Sequence, residues 1–157
     1  MSRNEKGFDR REFLKGTAAV AGATAVGTLA PLGAALAQTG KIKIGLMLPY
    51  TGTFAALGVA ITNGFKLAVE ERGGKLGGRE IEYIVVDDES NPAKAPENAN
   101  KLIQRDKVDV IIGTVHSGVA MGMAKVIREA GTLWINPDAG AGAVTGALCA
   151  RNIFRTS

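Results

Sequence analysis

The chain has 157 residues, 19 of them Lys or Arg against 15 Asp or Glu, with one histidine, one cysteine and a formal net charge of +4. One histidine and one cysteine exclude a structural zinc cluster and a haem attachment motif. The charges are scattered and the few aromatics are not interleaved with basic residues, so nothing favours nucleic acid as a partner.

The first 37 residues read as an export signal. A charged leader, Met1 to Lys15, holds the pair Arg10-Arg11 followed by Glu12-Phe13-Leu14-Lys15, and Gly16 to Gly40 carries no charge. Ala35-Leu36-Ala37 is a small-x-small site of the kind a signal peptidase cuts. This order is that of a secretory signal, and the arginine pair points to the twin-arginine route, with cleavage after Ala37 and a periplasmic destination. A membrane anchor is the competing reading, since about 20 apolar residues span a bilayer. The run is mostly Ala, Gly and Thr and contains Gly22, Gly27, Pro31 and Gly33. It partitions weakly into lipid, which favours a cleaved signal. Residues 38–157 then amount to one small domain. In an oxidising compartment the lone Cys149 is either a buried apolar residue or paired outside this chain.

Lys41 to Pro49 (KIKIGLMLP) is a short apolar run and predicts a buried strand. Thr51-Gly52-Thr53 predicts a turn. From Phe54 to Arg72, Leu57, Ile61, Phe65 and Val69 recur at steps of four and predict an amphipathic helix with that face buried. Gly73-Gly74 stops it, and Leu76-Gly77-Gly78 reads as more turn. Arg79 to Asp88 is a second strand, and Ser90-Asn91-Pro92 begins a helix whose face is Ala95, Ala99, Leu102 and Ile103. Val108 to Gly113 is a third strand. Ser117 is expected to cap the next helix, with Val119, Ala120, Met123, Ala124 and Ile127 turned inward. Thr132 to Asn136 is a fourth strand, and Asn152 to Arg155 begins a fifth.

Strands and helices alternate strictly, so the expected fold class is α/β, a parallel sheet with helices on both faces. Ligands of such sheets bind beyond the carboxyl ends of the strands. Four loops therefore carry the candidate chemistry.

Tyr50 to Leu57 includes Thr53 and Phe54 and opens a helix whose N–H groups suit an anion. It lacks both GxGxxG and GK[ST], so no dinucleotide or P-loop cofactor is expected. An ordinary turn is the plainer reading. Thr114 to Gly118 brings His116 and Ser117 to a helix start. They suit a carboxylate, or alternatively a nucleophilic serine, although GxSxG is absent. Pro137 to Gly142 includes Ala139 and Gly140 and is either a close-approach backbone site or a flexible connector. Asp87-Asp88-Glu89 is either a metal site or else a solvated strand end or hinge contact; the latter is favoured, because three consecutive carboxylates do not face one way.

The ordered set KIKIGLMLPYTGTFAALG, NGFKLAVEE, REIEYIVVDDESNP, VDVIIGTVHSG and GTLWINPDAGA resembles the type I periplasmic substrate-binding proteins of ABC transporters, of the leucine-binding kind. The resemblance covers Lys41 to Ser157. It implies two α/β lobes closing on a small carboxylate, no enzymatic activity, no cofactor and an ABC permease as partner. Carried over by position, Ser117 supplies a hydroxyl and an N–H, His116 shapes or donates to the pocket, and Ala139 and Gly140 offer backbone groups. Leu57 falls where leucine-type members carry a covering aromatic. Those members also have a cysteine pair near Glu89 and His116, which this chain lacks. The HSG loop is closer to members that take aromatic or other organic acids. The resemblance further implies that residues 38–157 are part of a first lobe without the second, with an exposed sheet edge and poor independent folding. An exported hydrolase using Ser117 and His116 and a ligand-sensing receptor module are the alternatives.

Overall fold

A computed structural model describes residues 40–157; the leader, its arginine pair and the Ala37 cleavage site lie outside the described residues. The apolar run after Lys41 forms β1 (Ile42–Leu48) at the centre of a sheet. β2 (Lys75–Leu76), β3 (Arg79–Asp87), β4 (Val110–Ile112), β5 (Leu133–Asn136) and β6 (Ile153–Arg155) complete the order β2-β3-β1-β4-β5-β6. β1 pairs in parallel with β3, from Ile42 opposite Ile81 to Leu48 opposite Asp87, and on its other side with β4. β4–β5 and β5–β6 are parallel too.

One strand departs from the expected parallel sheet. Lys75 and Leu76 pair antiparallel with Glu80 and Arg79, so the segment read as a continuing turn is a short hairpin closed by Gly77-Gly78. Two glycines between two pairing segments are a hairpin signal in their own right. A two-residue strand is too short for periodicity to reveal.

The helices are α1 (Ala55–Glu70), α2 (Ala95–Asn100) and α3 (Ser117–Ala130). A 3-10 turn, Pro92–Lys94, leads into α2, and a π-helical turn, Lys101–Arg105, follows it. Side chains alternate across each strand, which gives the sheet two apolar faces. Met47, Val86, Ile111, Trp134 and Ile153 pack with Ala95, Ala99 and Leu102 of the α2 segment and with Val119, Met123 and Ile127 of α3. Each large side chain buried there contributes about 1.5–3 kcal/mol. Ile44, Leu46 and Ile112 form the opposite face, with Phe65 of α1 packed against them.

The expected face of α1 holds at Ile61, Phe65 and Val69 and fails at its first residue, Leu57. Leu57 is 47% exposed, and the buried stripe is Gly58, Thr62 and Val69. The reason is contact distance. A Cβ at position 58 would stand 1.8 Å from the Pro49 carbonyl oxygen, so only glycine lets the helix approach there. Thr62 then turns inward, donating to the Gly58 carbonyl at 2.9 Å and meeting the Tyr50 hydroxyl at 2.8 Å. Cys149 is exposed rather than buried. Phe154, on edge strand β6, is 52% exposed.

Candidate functional site

The chain leaves β1 through α1 on one face of the sheet. It leaves β3 and β4 through α2 and α3 on the other. β1 lies between β3 and β4, so the loops beyond its carboxyl end and theirs meet at the topological switch point, the place where ligands of such sheets generally bind.

The β3 loop ties the others together. Asp87 Oδ1 accepts N–H bonds from Tyr50 (2.9 Å), Thr51 (3.3 Å) and Glu89 (2.8 Å), and Oδ2 accepts the Thr51 hydroxyl at 2.6 Å. Burial pushes this carboxyl up, but the Thr51 hydroxyl and the three N–H groups outweigh it and hold it below the ordinary aspartate range. Asp88 is completely buried. Its Oδ1 accepts from Ser90 N–H at 2.8 Å, and its Oδ2 accepts the hydroxyl of Thr114, also completely buried. Burial raises its pKa, the Thr114 and Ser90 bonds offset this only in part, and neighbouring Asp87 adds to the rise. Burial and both aspartates also raise the pKa of Tyr50.

Of the expected solvated strand end or hinge contact, the structure shows a contact: the run is a brace in which Asp87 holds the β1 loop and Asp88 the β4 loop. Among the described residues no group of three or more His, Cys, Asp or Glu is placed to hold a metal ion. Glu89 instead pairs with Lys94 at 2.6 Å. Glu89 and Ser90 both take left-handed backbone angles, φ 52° and 55°, a tight turn that offers the Ser90 hydroxyl to Phe54 N–H at 3.4 Å.

α3 begins differently from the expectation. Its cap is His116, not Ser117. Nδ1 of His116 accepts from Gly118 N–H at 3.0 Å and Val119 N–H at 3.3 Å. An extended residue just before a helix aims its side chain at the second and third N–H groups, and an imidazole nitrogen there does the work usually given to a serine oxygen. Ser117 becomes the first helical residue and is exposed. No hydrogen bond joins His116 to Ser117 among the described residues, so the pair is not arranged as base and nucleophile. Phe54, which starts α1, stands against the His116 ring with centroids 5.7 Å apart and planes at 51°.

The β5 loop is built on buried Asn136. Its Oδ1 accepts from Ala139 N–H at 2.9 Å, and its Nδ2 donates to the Ala139 carbonyl at 3.0 Å. Ala139 N–H also reaches the Thr114 carbonyl at 3.2 Å. Both backbone groups of Ala139 are thus engaged within the protein, and Ala139 is fully buried while Gly140 beside it is exposed. Thr53 and Leu57 are exposed as well.

The structure therefore brings Phe54 against His116, with Ser117 next to it in the chain, and gives Ala139 a positioning role. Sequence reading took Asp88 as part of a carboxylate run, Ser90 as a helix entry and Thr114 as a loop boundary, and did not pair them. Their signal was position: Asp88 directly follows β3, Ser90 lies two residues further on, and Thr114 stands two residues past the end of β4, the two strands that flank β1.

Residues 41–157 match the periplasmic binding protein family, and residues 7–27 match the twin-arginine translocation signal. A Leu/Ile/Val-binding protein homolog of Brucella melitensis is 32% identical over 85% of this chain and 36% of its own length. A solute-binding protein of an ABC transporter from R. palustris, solved with benzoate, is 60% identical with a TM-score of 0.74, over 75% of this chain and 33% of that one. Another, from Rhodopseudomonas palustris BisB5 with 3,4-dihydroxybenzoic acid, is 34% identical with a TM-score of 0.69, over 74% and 32%. The chain spans about a third of the length of each. With its twin-arginine signal it is an exported, periplasmic protein, and it belongs to the periplasmic binding protein family.

Proposed function

We propose that this chain contributes one wall of the solute site in an extracytoplasmic binding component of an ABC importer, with a small aromatic carboxylate as solute. The observation that carries this reading is the contact between the Phe54 and His116 rings at the switch point, where the β1 and β4 loops stand side by side. A flat ring with a carboxylate suits an aromatic side wall beside polar helix starts. The 60% identity to a benzoate-bound protein supports the same class.

Ser117 contributes its hydroxyl and N–H, Gly140 an open backbone, and Thr53 and Leu57 the rim, while Ala139 holds the β5 loop in place. The partners are an inner-membrane ABC permease and the twin-arginine export machinery, with the signal removed after Ala37. Branched-chain amino acids are the second reading, supported by the Brucella melitensis relative.

Isothermal titration of the protein with benzoate, 3,4-dihydroxybenzoate and leucine tests both. Saturable heat with the aromatic acids and none with leucine is expected. Leucine binding alone selects the second reading, and heat from none of the three refutes solute binding by this chain.

A further inference from the structure

His116 is the only histidine of the chain, and its surroundings determine where its proton sits. Two backbone N–H groups, of Gly118 and Val119, point at Nδ1. Two donors aimed at one nitrogen require a lone pair there, so the neutral ring carries its hydrogen on Nε2. The ring edge lies close on residue 118, where an added Cβ would come within 2.8 Å of Cε1 and 3.0 Å of Nδ1. Turning the ring over would put carbon against both N–H groups and forfeit both bonds. On the other side the Phe54 ring is packed against it. Nε2 makes no hydrogen bond among the described residues, and the side chain is half-buried.

We infer that the start of α3 locks His116 as the Nε2–H tautomer, and that this N–H is the donor that selects a carboxylate or phenolate oxygen beside the Phe54 ring. The inference rests on the solute-binding reading and deepens it. The helix N-terminus is not itself the anion site, because two of its N–H groups are already taken by the histidine. The histidine passes the donor on, as one directional N–H at the ring's far edge. An ammonium brings only donors and has no partner at this atom. The device therefore favours an organic acid over the amino end of a zwitterion.

A long-range 1H–15N correlation spectrum of the 15N-labelled protein at neutral pH tests this, since one imidazole gives one pattern. Expected are an unprotonated Nδ1 and a protonated Nε2, with added benzoate moving Nε2 more than Nδ1. A protonated Nδ1, or a ring averaging between tautomers, overturns the lock whatever the protein binds. His116→Asn supplies an acceptor to Gly118 and Val119 but no donor at the Nε2 position. It is expected to melt within about 3 °C of the parent and to bind benzoate about tenfold or more weakly. Unchanged benzoate affinity in that variant, or a benzoate complex with Nε2 unmoved, overturns the donor role and leaves solute binding standing. Failure of benzoate and leucine alike to bind, with the Nε2–H tautomer seen, overturns the solute-binding reading and the donor's role with it, but not the lock.

Discussion

Asp88 offers the sharpest test of how the loops are held. Its carboxylate is completely buried and accepts the Ser90 N–H and the hydroxyl of Thr114, itself completely buried. Asp88→Ala strands both donors. Each donor left unsatisfied costs about 1–3 kcal/mol, so the variant should lose about 2–6 kcal/mol, a large share of the roughly 5–15 kcal/mol that holds a domain together. Asp88→Asn keeps both contacts, accepting from Ser90 through Oδ1 and donating to the Thr114 oxygen through Nδ2, so its cost should be about 1 kcal/mol or less.

The pH dependence separates the two explanations further. Burial raises the folded-state pKa of Asp88 above its unfolded value of about 3.9. The stability contributed by the protonated carboxyl is complete below that value and is lost as pH rises through the folded pKa. Asparagine has no such loss, so the stability difference should shift in favour of Asp88→Asn from about pH 4 towards neutrality. Urea unfolding followed by tryptophan fluorescence measures this directly. Trp134 is the only tryptophan, is fully buried, and donates to the carbonyl of Gly113, the residue before Thr114. If Asp88→Ala costs under about 1 kcal/mol, or if the alanine and asparagine variants cost the same, the brace does not exist.

Gly58→Ala drives a methyl to 1.8 Å from the Pro49 carbonyl and should cost about 2–3 kcal/mol in urea unfolding despite alanine's better helix propensity. Gly64→Ala, in open space on the same helix, should stabilise by about 0.5–1 kcal/mol; equal effects at the two sites would refute the close approach of α1. Asp87 behaves opposite to Asp88. Although burial opposes it, the Thr51 hydroxyl and the backbone N–H groups lower its folded pKa, so its contribution is present above about pH 4 and lost as pH falls through the folded value. Thermal melts of Asp87→Asn should therefore lie below the parent at neutral pH and converge with it in acid, and parallel curves would show that Asp87 holds nothing.

Much of the architecture was legible because it depends on local periodicity. The apolar stripe Val119, Met123, Ile127 is the buried face of α3, and the short runs Ile42–Leu48 and Val110–Ile112 are strands, as their spacing required. On α1 the hydrophobic step of four held at Phe65 and Val69 but misplaced Leu57, at the start of the helix. What chose the inward face was the smallness of Gly58 at a backbone contact, and that contact comes from Pro49, outside the helix.

The candidate site divides the same way. Sequence alone marked the β4 loop, because a lone histidine and a serine before an apolar helical stripe stand out whatever surrounds them. It determined the export signal, the alternation of strands and helices, and the resemblance to a solute-binding family, all of which are written in residue order. The tertiary structure decided which residue caps α3, which nitrogen of His116 is free, and that two adjacent aspartates face different loops. The cap is a contact of His116 with Gly118 and Val119, two and three residues on, but the aspartate's partner and the ring packed on the histidine lie 26 and 62 positions away, Asp88 to Thr114 and Phe54 to His116. Distances of that kind arise only when the strand order brings β3, β1 and β4 side by side.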